Sequence, residues 1–323
     1  MTQVTRRAVL AGSAATVLAL PASGPAAAAA PASGHQAAGV YRFKIGRYEL
    51  TALHDGTWYR PIDNTLVRNA AWADVQQALA DNFLPADKLP IPFTALLVNT
   101  ETKLVLIDTG TAGQLDPAAP GIGRSLAGAG VDPKAIDVVL ISHFHPDHIN
   151  GLKTKEGGLV FPSAEINVPA PEWTYWMDDT QLSAAPASAR TAFLNARRIF
   201  KGIAKDVKRF EPGTEVAPGI TSIAAYGHTP GHTAFAVASG NQSMLVLSDV
   251  TNHPWLFVRH PEWQAVFDVD GDMAAQTRKK MLDRAAADKM LVQGYHFPFP
   301  ASGYITKRGT GYDLVPVMWQ GKL

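Results

Sequence analysis

The sequence predicts an α/β fold of stacked layers with its chemistry gathered where strands meet loops. Three observations carry that expectation. Short apolar runs bounded by Gly, Asn, Asp and Ser alternate with stretches of helical spacing, the pattern of sheets covered by helices. Four such runs end in a candidate ligand with Gly or Pro nearby: His143 and its neighbours, His232, Asp249 and His296. From Gly39 to Leu323 no segment has the composition of a linker, so this part reads as a single catalytic domain, long but in range for a layered fold.

In chain order, residues 41–53 alternate well enough for one or two strands, ending in a turn at His54-Asp55-Gly56. Residues 72–83 have helical spacing, with Val75, Leu79 and Phe83 on one face. Residues 94–98 and 104–107 flank Asn99-Thr100-Glu101-Thr102 as a hairpin, and both are apolar throughout, so both faces should be covered. Asp108 follows; a carboxylate there is either a turn former or a group that steadies a metal ligand. Residues 136–141 form the strand that delivers the histidine cluster, and 165–168 a short strand. Helical patterns cover 171–177 and 188–203. A strand at 220–225 precedes a second hairpin, 234–238 with 244–247, which ends at Ser248-Asp249. Residues 272–287 form a helix with an acidic start and basic residues further along, which suits the helix dipole. Residues 290–292 then lead to Gly294-Tyr295-His296-Phe297.

The stretch Ser142-His143-Phe144-His145-Pro146-Asp147-His148 packs three imidazoles and a carboxylate into six positions. In an extended backbone His143 and His145 fall on one side and can share one ion. Pro146 rules out a helical continuation, so the chain turns and aims Asp147 and His148 at a second position. A lone histidine is more often a packed residue than a ligand; four potential ligands at the end of a buried strand ask for a metal. His228 precedes His232 by four residues and is either a donor behind the site or a residue packed in its loop. Trp173, Trp176, Phe193, Trp255 and Trp263 lie between the ligands, as substrate wall or as ordinary core.

Composition narrows the class. The chain has no cysteine, so any metal is held by nitrogen and oxygen. The formal charge is +1 with no basic block, which argues against nucleic acid as a partner and for a small-molecule substrate. Residues 1–32 read as an export signal: Arg6-Arg7, an apolar Ala-rich run to Leu20, then small residues with several cleavage points. The paired arginines resemble the twin-arginine class, so the protein is expected to be periplasmic or secreted. The apolar run is too short for a permanent span, and no stable membrane segment is expected once it is removed.

With these residues in order, the chain resembles the metallo-β-lactamase-fold hydrolase superfamily, on the strength of His143-x-His145-x-Asp147-His148, Thr229-Pro230-Gly231-His232, Asp249 and His296. The resemblance implies a four-layer αββα sandwich with two divalent metal ions at one edge. It places His143, His145 and His232 on the first ion, Asp147, His148 and His296 on the second, and Asp249 as the bridge. Methyl parathion hydrolases are similar in residues 53–57, 97–109, 227–233 and 296–317, and by local position Trp176 matches a pocket tryptophan of that family. Acyl-homoserine lactone lactonases share the ligands, but the tyrosine they carry three residues after the bridging aspartate is Asn252 here. Phe193 and Trp255 are further substrate-wall candidates, and a homodimer is compatible with the resemblance.

The chemistry expected of such a site is hydrolysis of a small ester, lactone or phosphotriester. Two ions held by seven side chains would lower the pKa of a shared water to around neutrality, with Asp147 or Asp249 orienting the hydroxide and relaying its proton. Zn2+ is the default metal, although Mn, Fe or Co suit the same donors. An iron-dependent persulfide dioxygenase on the same fold is the main alternative; a nuclease and a metal protein without catalysis follow.

Overall fold

The computed structural model describes residues 33–34 and 36–323, so the expected export signal lies outside the described residues. The first sheet runs in chain order: β1 (Val40–Ile45), β2 (Tyr48–Pro61), β3 (Lys88–Asn99), β4 (Leu104–Ile107), β5 (Val138–Leu140), β6 (Glu165–Pro169) and β7 (Lys208–Phe210). Its first four strands form an antiparallel meander, and β4 to β7 are parallel. The second sheet holds β8 (Glu215–Ala217), β9 (Ile220–Ala224), β10 (Thr233–Ser239), β11 (Gln242–Ser248), β12 (Leu291–Gly294), β13 (Ser302–Arg308) and β14 (Gly311–Pro316), also neighbours in chain order. Only β11 and β12 pair in parallel there.

Strand alternation sorts the side chains into layers. Leu96 and Val98, Val105 and Ile107, Val138 and Leu140 meet Phe235, Val237, Met244 and Val246 between the two sheets. The intervening Ala95, Leu97, Leu106 and Val139 face the other way. They pack under α1 (Trp72–Asp81), α2 (Gly123–Gly128) and, beyond the short α3 (Pro146–Ile149), α4 (Ala170–Met177), α5 (Asp179–Ala184) and α6 (Ala187–Phe200). Ala234, Leu245, Leu247 and Val292 pack under α7 (Gly271–Ala287). The expected four-layer αββα sandwich is therefore present, and it explains why these strands are apolar throughout: each is covered on both faces.

Three local expectations are corrected. Residues 54–56 are not a turn; β2 runs on to Pro61 with a shift of register between His54 and Gly56. A bulge of this kind re-aims a side chain, and the Asp55 carboxylate accepts from the Thr111 and Gly121 amides. Phe83 does not join the buried face of α1, which ends at Asp81; it is 97% exposed, with a φ of 56°. Pro146 does not exclude a helix but opens one, because the first helical position needs no amide donor.

Candidate metal centre

The parallel strands deliver the site. Asp108 follows β4, the His143 loop follows β5, Asp249 follows β11 and the His296 loop follows β12. His232 was expected at a strand end but stands just before β10, which runs antiparallel to β11, so it reaches the same edge.

All seven expected ligands converge there, and their outer hydrogen bonds turn the inner nitrogens toward one another. Nδ1 of His143 lies 3.0 Å from Ser142 Oγ, that of His148 2.8 Å from Asp108, that of His232 3.0 Å from the Ala225 carbonyl and that of His296 3.0 Å from the Pro92 carbonyl. Each contact sends the Nδ1 proton outward and turns Nε2 inward; that of His232 accepts from the Asp249 amide at 3.1 Å. His145 is turned the other way, with Nδ1 3.0 Å from His143 Nε2. Asp108 unites both readings offered for it: its φ of 60° makes the turn, and its carboxylate takes the Ser142 amide, the Ser142 hydroxyl and His148 Nδ1.

Asp249 sits in the middle. Its Oδ2 is 2.8 Å from His296 Nε2 and its Oδ1 3.2 Å from His148 Nε2. Asp147 Oδ2 lies 3.4 Å from His148 Nε2 and 3.6 Å from His296 Nε2. His148 Nε2 and Asp249 Oδ1 are buried without a hydrogen-bond partner although they face each other. A buried pair of that kind needs positive charge, either a proton on His148 or a metal ion. The donor set fits divalent ions: His143, His148 and Asp249 bring ligand atoms within 4.8 Å of one another, as do Asp147, His148 and His296. A third such group is His143, His145 and His228. His228 thus brings a ring nitrogen up to those of His143 and His145.

Electrostatics divides the cluster in two. Burial drives the His145 and His232 imidazoles down to about 3, and His143 well below its ordinary value, with neighbouring imidazoles adding to the effect. Burial would lower His148 as well, but Asp249, Asp147 and Asp108 around it raise it well above 6.5. His296 is raised for the same reason. In the metal-free protein His148 therefore carries a proton at neutral pH. That contribution to stability is full below about 6.5 and is lost as pH rises through the folded value. A metal must expel the proton, so affinity should rise with pH and uptake at pH 7 should release at least one proton. Calorimetry in buffers of different ionisation enthalpy will read this as a buffer-dependent heat; a buffer-independent heat would contradict it.

A cavity of about 470 Å³ opens on the cluster through His145, Asp147, His228, Asp249 and His296. Trp58, Ile91, Phe93 and Phe267 form an apolar wall, while Gln114, Asn150 and Asn195 supply a polar one. The substrate-wall expectations are corrected here. Trp176 and Phe193 are buried behind His145, their rings 4.6 Å apart, and do not line the cavity. Trp255 lines a separate groove with Arg259, His260 and Arg308. Asn252 does line the cavity, its Oδ1 held by the His253 amide.

Sequence reasoning missed a buried carboxylate that joins two ligand loops. Glu172 accepts from Phe144 N at 2.9 Å, from Trp176 Nε1, and from Thr229 Oγ1 and Gly231 N at 2.8 Å each. A β-carbon on Gly231 would collide with the Glu172 backbone, so only glycine lets the loops approach. The signal was an acid beside Trp173 in an apolar helix. Arg278 was missed as well: it shares the buried face of α7 with Ala274, Met281, Leu282 and Ala285, a spacing that puts a charge where the pattern calls for an apolar residue.

A sandwich of two sheets with a histidine and carboxylate cluster at its edge is the construction of a metal-dependent hydrolase. The chain belongs to the metallo-beta-lactamase superfamily, whose family profile matches residues 92–285. It is similar to AidC, a dizinc quorum-quenching lactonase solved with the product N-hexanoyl-L-homoserine: 28% identity, 88% of this chain and 99% of that one, TM-score 0.82. It is also similar to AbOPH, a hydrolase of the beta lactamase superfamily: 27% identity, 88% and 100% coverage, TM-score 0.83. A probable metallo-hydrolase of Mycobacterium tuberculosis is 26% identical over 184 residues, covering 49% of this chain and 56% of that protein. The chain thus spans little more than half the length of the curated relatives it matches.

Proposed function

We propose that this chain is a dinuclear-metal hydrolase that opens small lactones and related esters. The observation that carries the reading is the convergence of His143, His148 and Asp249, and of Asp147, His148 and His296, with ligand atoms within 4.8 Å of one another, beside a half-apolar cavity. His143, His145 and His232 would hold one ion, Asp147, His148 and His296 the other, and Asp249 would span both. Bound there, the ions would polarise the substrate oxygen and bring a water between them close to neutral pKa.

The chain's own residues do the rest. Trp58, Ile91 and Phe93 take an apolar arm of the substrate and exclude water from it, and the amides of Gln114, Asn150 and Asn195 face its polar end. Of the two carboxylates, Asp147 is the more open, with its side chain 13% exposed against 3% for Asp249. Asp147 is therefore assigned to orient the attacking water and take its proton, and Asp249 to position the ions. The cavity lining carries no cationic Lys or Arg, which favours an uncharged substrate. The similarity to AidC supports a lactone. Asn252, in place of the lactonase tyrosine, keeps a phosphotriester as the second reading. Convergence of Asp147, His148 and His296 weighs against an iron-dependent persulfide dioxygenase.

The test is a panel of acyl lactones of increasing chain length, chromogenic esters and phosphotriesters on protein whose metals have been counted. The expected result is two ions per chain and the highest kcat/KM on a lactone, lost on chelation. Two bound ions with no turnover of any panel member would overturn the proposal.

A further inference from the structure

We infer that His228 is an additional metal ligand, on the side of the centre held by His143 and His145. The inference rests on the metallohydrolase reading above and adds a donor which that reading does not contain.

The support behind His228 is charged and fully buried. Its Nδ1 lies 2.9 Å from Asp268 Oδ1; Asp268 Oδ2 accepts from the Ala265 amide at 3.0 Å and from Arg278 Nη2 at 3.2 Å. Arg278 is anchored in turn by its bonds to the carbonyls of Val250, Pro261 and Trp263. A guanidinium keeps its charge, so Asp268 stays an acceptor, holds the Nδ1 proton of His228 outward and turns Nε2 to the cluster. His148 and Asp108 show the same arrangement on the other side of the cluster. Burying an Asp–Arg pair is expensive; a histidine merely packed in a loop needs no such backing.

The nitrogens that face His228 are crowded. The Ser142 hydroxyl donates to Asp108, so Ser142 Oγ accepts from His143 Nδ1 and turns His143 Nε2 to the cluster. His145 Nδ1 then faces His143 Nε2 at 3.0 Å and His228 Nε2 at 2.9 Å, and His228 Nε2 also lies 3.3 Å from Asp249 Oδ2. Three ring nitrogens turned on one another beside a buried carboxylate are an arrangement that a shared cation satisfies. Nitrogens sharing a tetrahedral zinc with bonds of 2.0–2.1 Å stand about 3.3 Å apart, close to what is seen.

The experiment uses the whole protein with cobalt in place of zinc. Each coordinated imidazole that keeps its outer N–H gives one strongly shifted, solvent-exchangeable proton resonance, and zinc affinity is read in parallel against a competing chelator. His228→Ala should lose one shifted resonance and weaken one of the two ions at least tenfold. Asp268→Asn, which keeps ring and shape, should move that resonance and weaken zinc roughly 10–100-fold. It decides the question if His228→Ala fails to fold. Unchanged resonances and affinities within twofold of wild type would overturn the assignment and leave His228 a hydrogen-bond partner of His145. Wild-type protein that takes up neither metal would instead overturn the metallohydrolase reading itself.

Discussion

Asp249→Ala is expected to empty the centre. The carboxylate touches His148 at 3.2 Å and His296 at 2.8 Å and lies 3.3 Å from His228, so it reaches donors on both sides of the cluster. Loss of an outer hydrogen bond to a ligand costs roughly 10–100-fold in metal affinity or activity. Loss of the central carboxylate should exceed about 100-fold in kcat/KM and reduce bound metal below two ions per chain. Without its charge, His148 and His296 also lose the main influence holding their imidazoles above the ordinary value. Elemental analysis with steady-state kinetics checks this; an alanine variant with full metal and full turnover would refute the dinuclear assignment.

Glu172→Ala should act through architecture. It strands four buried donors, the amides of Phe144 and Gly231, the Thr229 hydroxyl and the Trp176 indole. Each costs roughly 1–3 kcal/mol when left unpaired, partly offset because a carboxylate no longer has to be buried. A net loss of about 3–5 kcal/mol follows, or about 10 °C in Tm. Glu172→Gln is expected to recover little, since all four partners are donors and an amide offers them only one oxygen. Burial already pushes the Glu172 carboxyl up against the pull of those bonds, which marks it as held for the bonds rather than for its charge. Thermal unfolding of both variants decides; a glutamine variant as stable as wild type would refute the account.

Much of the sandwich was legible because it is written in short-range pattern. Alternation in residues 94–98, 104–107 and 234–247 is the same alternation that sends Leu96 between the sheets and Leu97 under the helices. The ligand residues were legible because chemistry that needs several donors leaves them clustered. The first half of β3 was not, since Pro90 and Pro92 argue against a strand. They are tolerated because that half pairs only with β2, the pairing with β4 beginning at Leu96. Ile91 and Phe93 of the apolar wall went unread with it. Trp176 and Phe193 misled for a different reason: nearness to a ligand in sequence does not say whether an aromatic faces the cavity or stands behind it. The backing of His228 spans forty residues to Asp268, a contact that no local pattern announces.

Each sheet brings its own share of the donors, residues 143–148 from one and His232, Asp249 and His296 from the other. Ions bound as proposed would rivet the two halves along one seam and make heat resistance a matter of supply. A hundredfold excess of free metal over its dissociation constant adds about 2.7 kcal/mol to the folded state. On that reading, scarcity of the ion would leave this protein softer as well as silent.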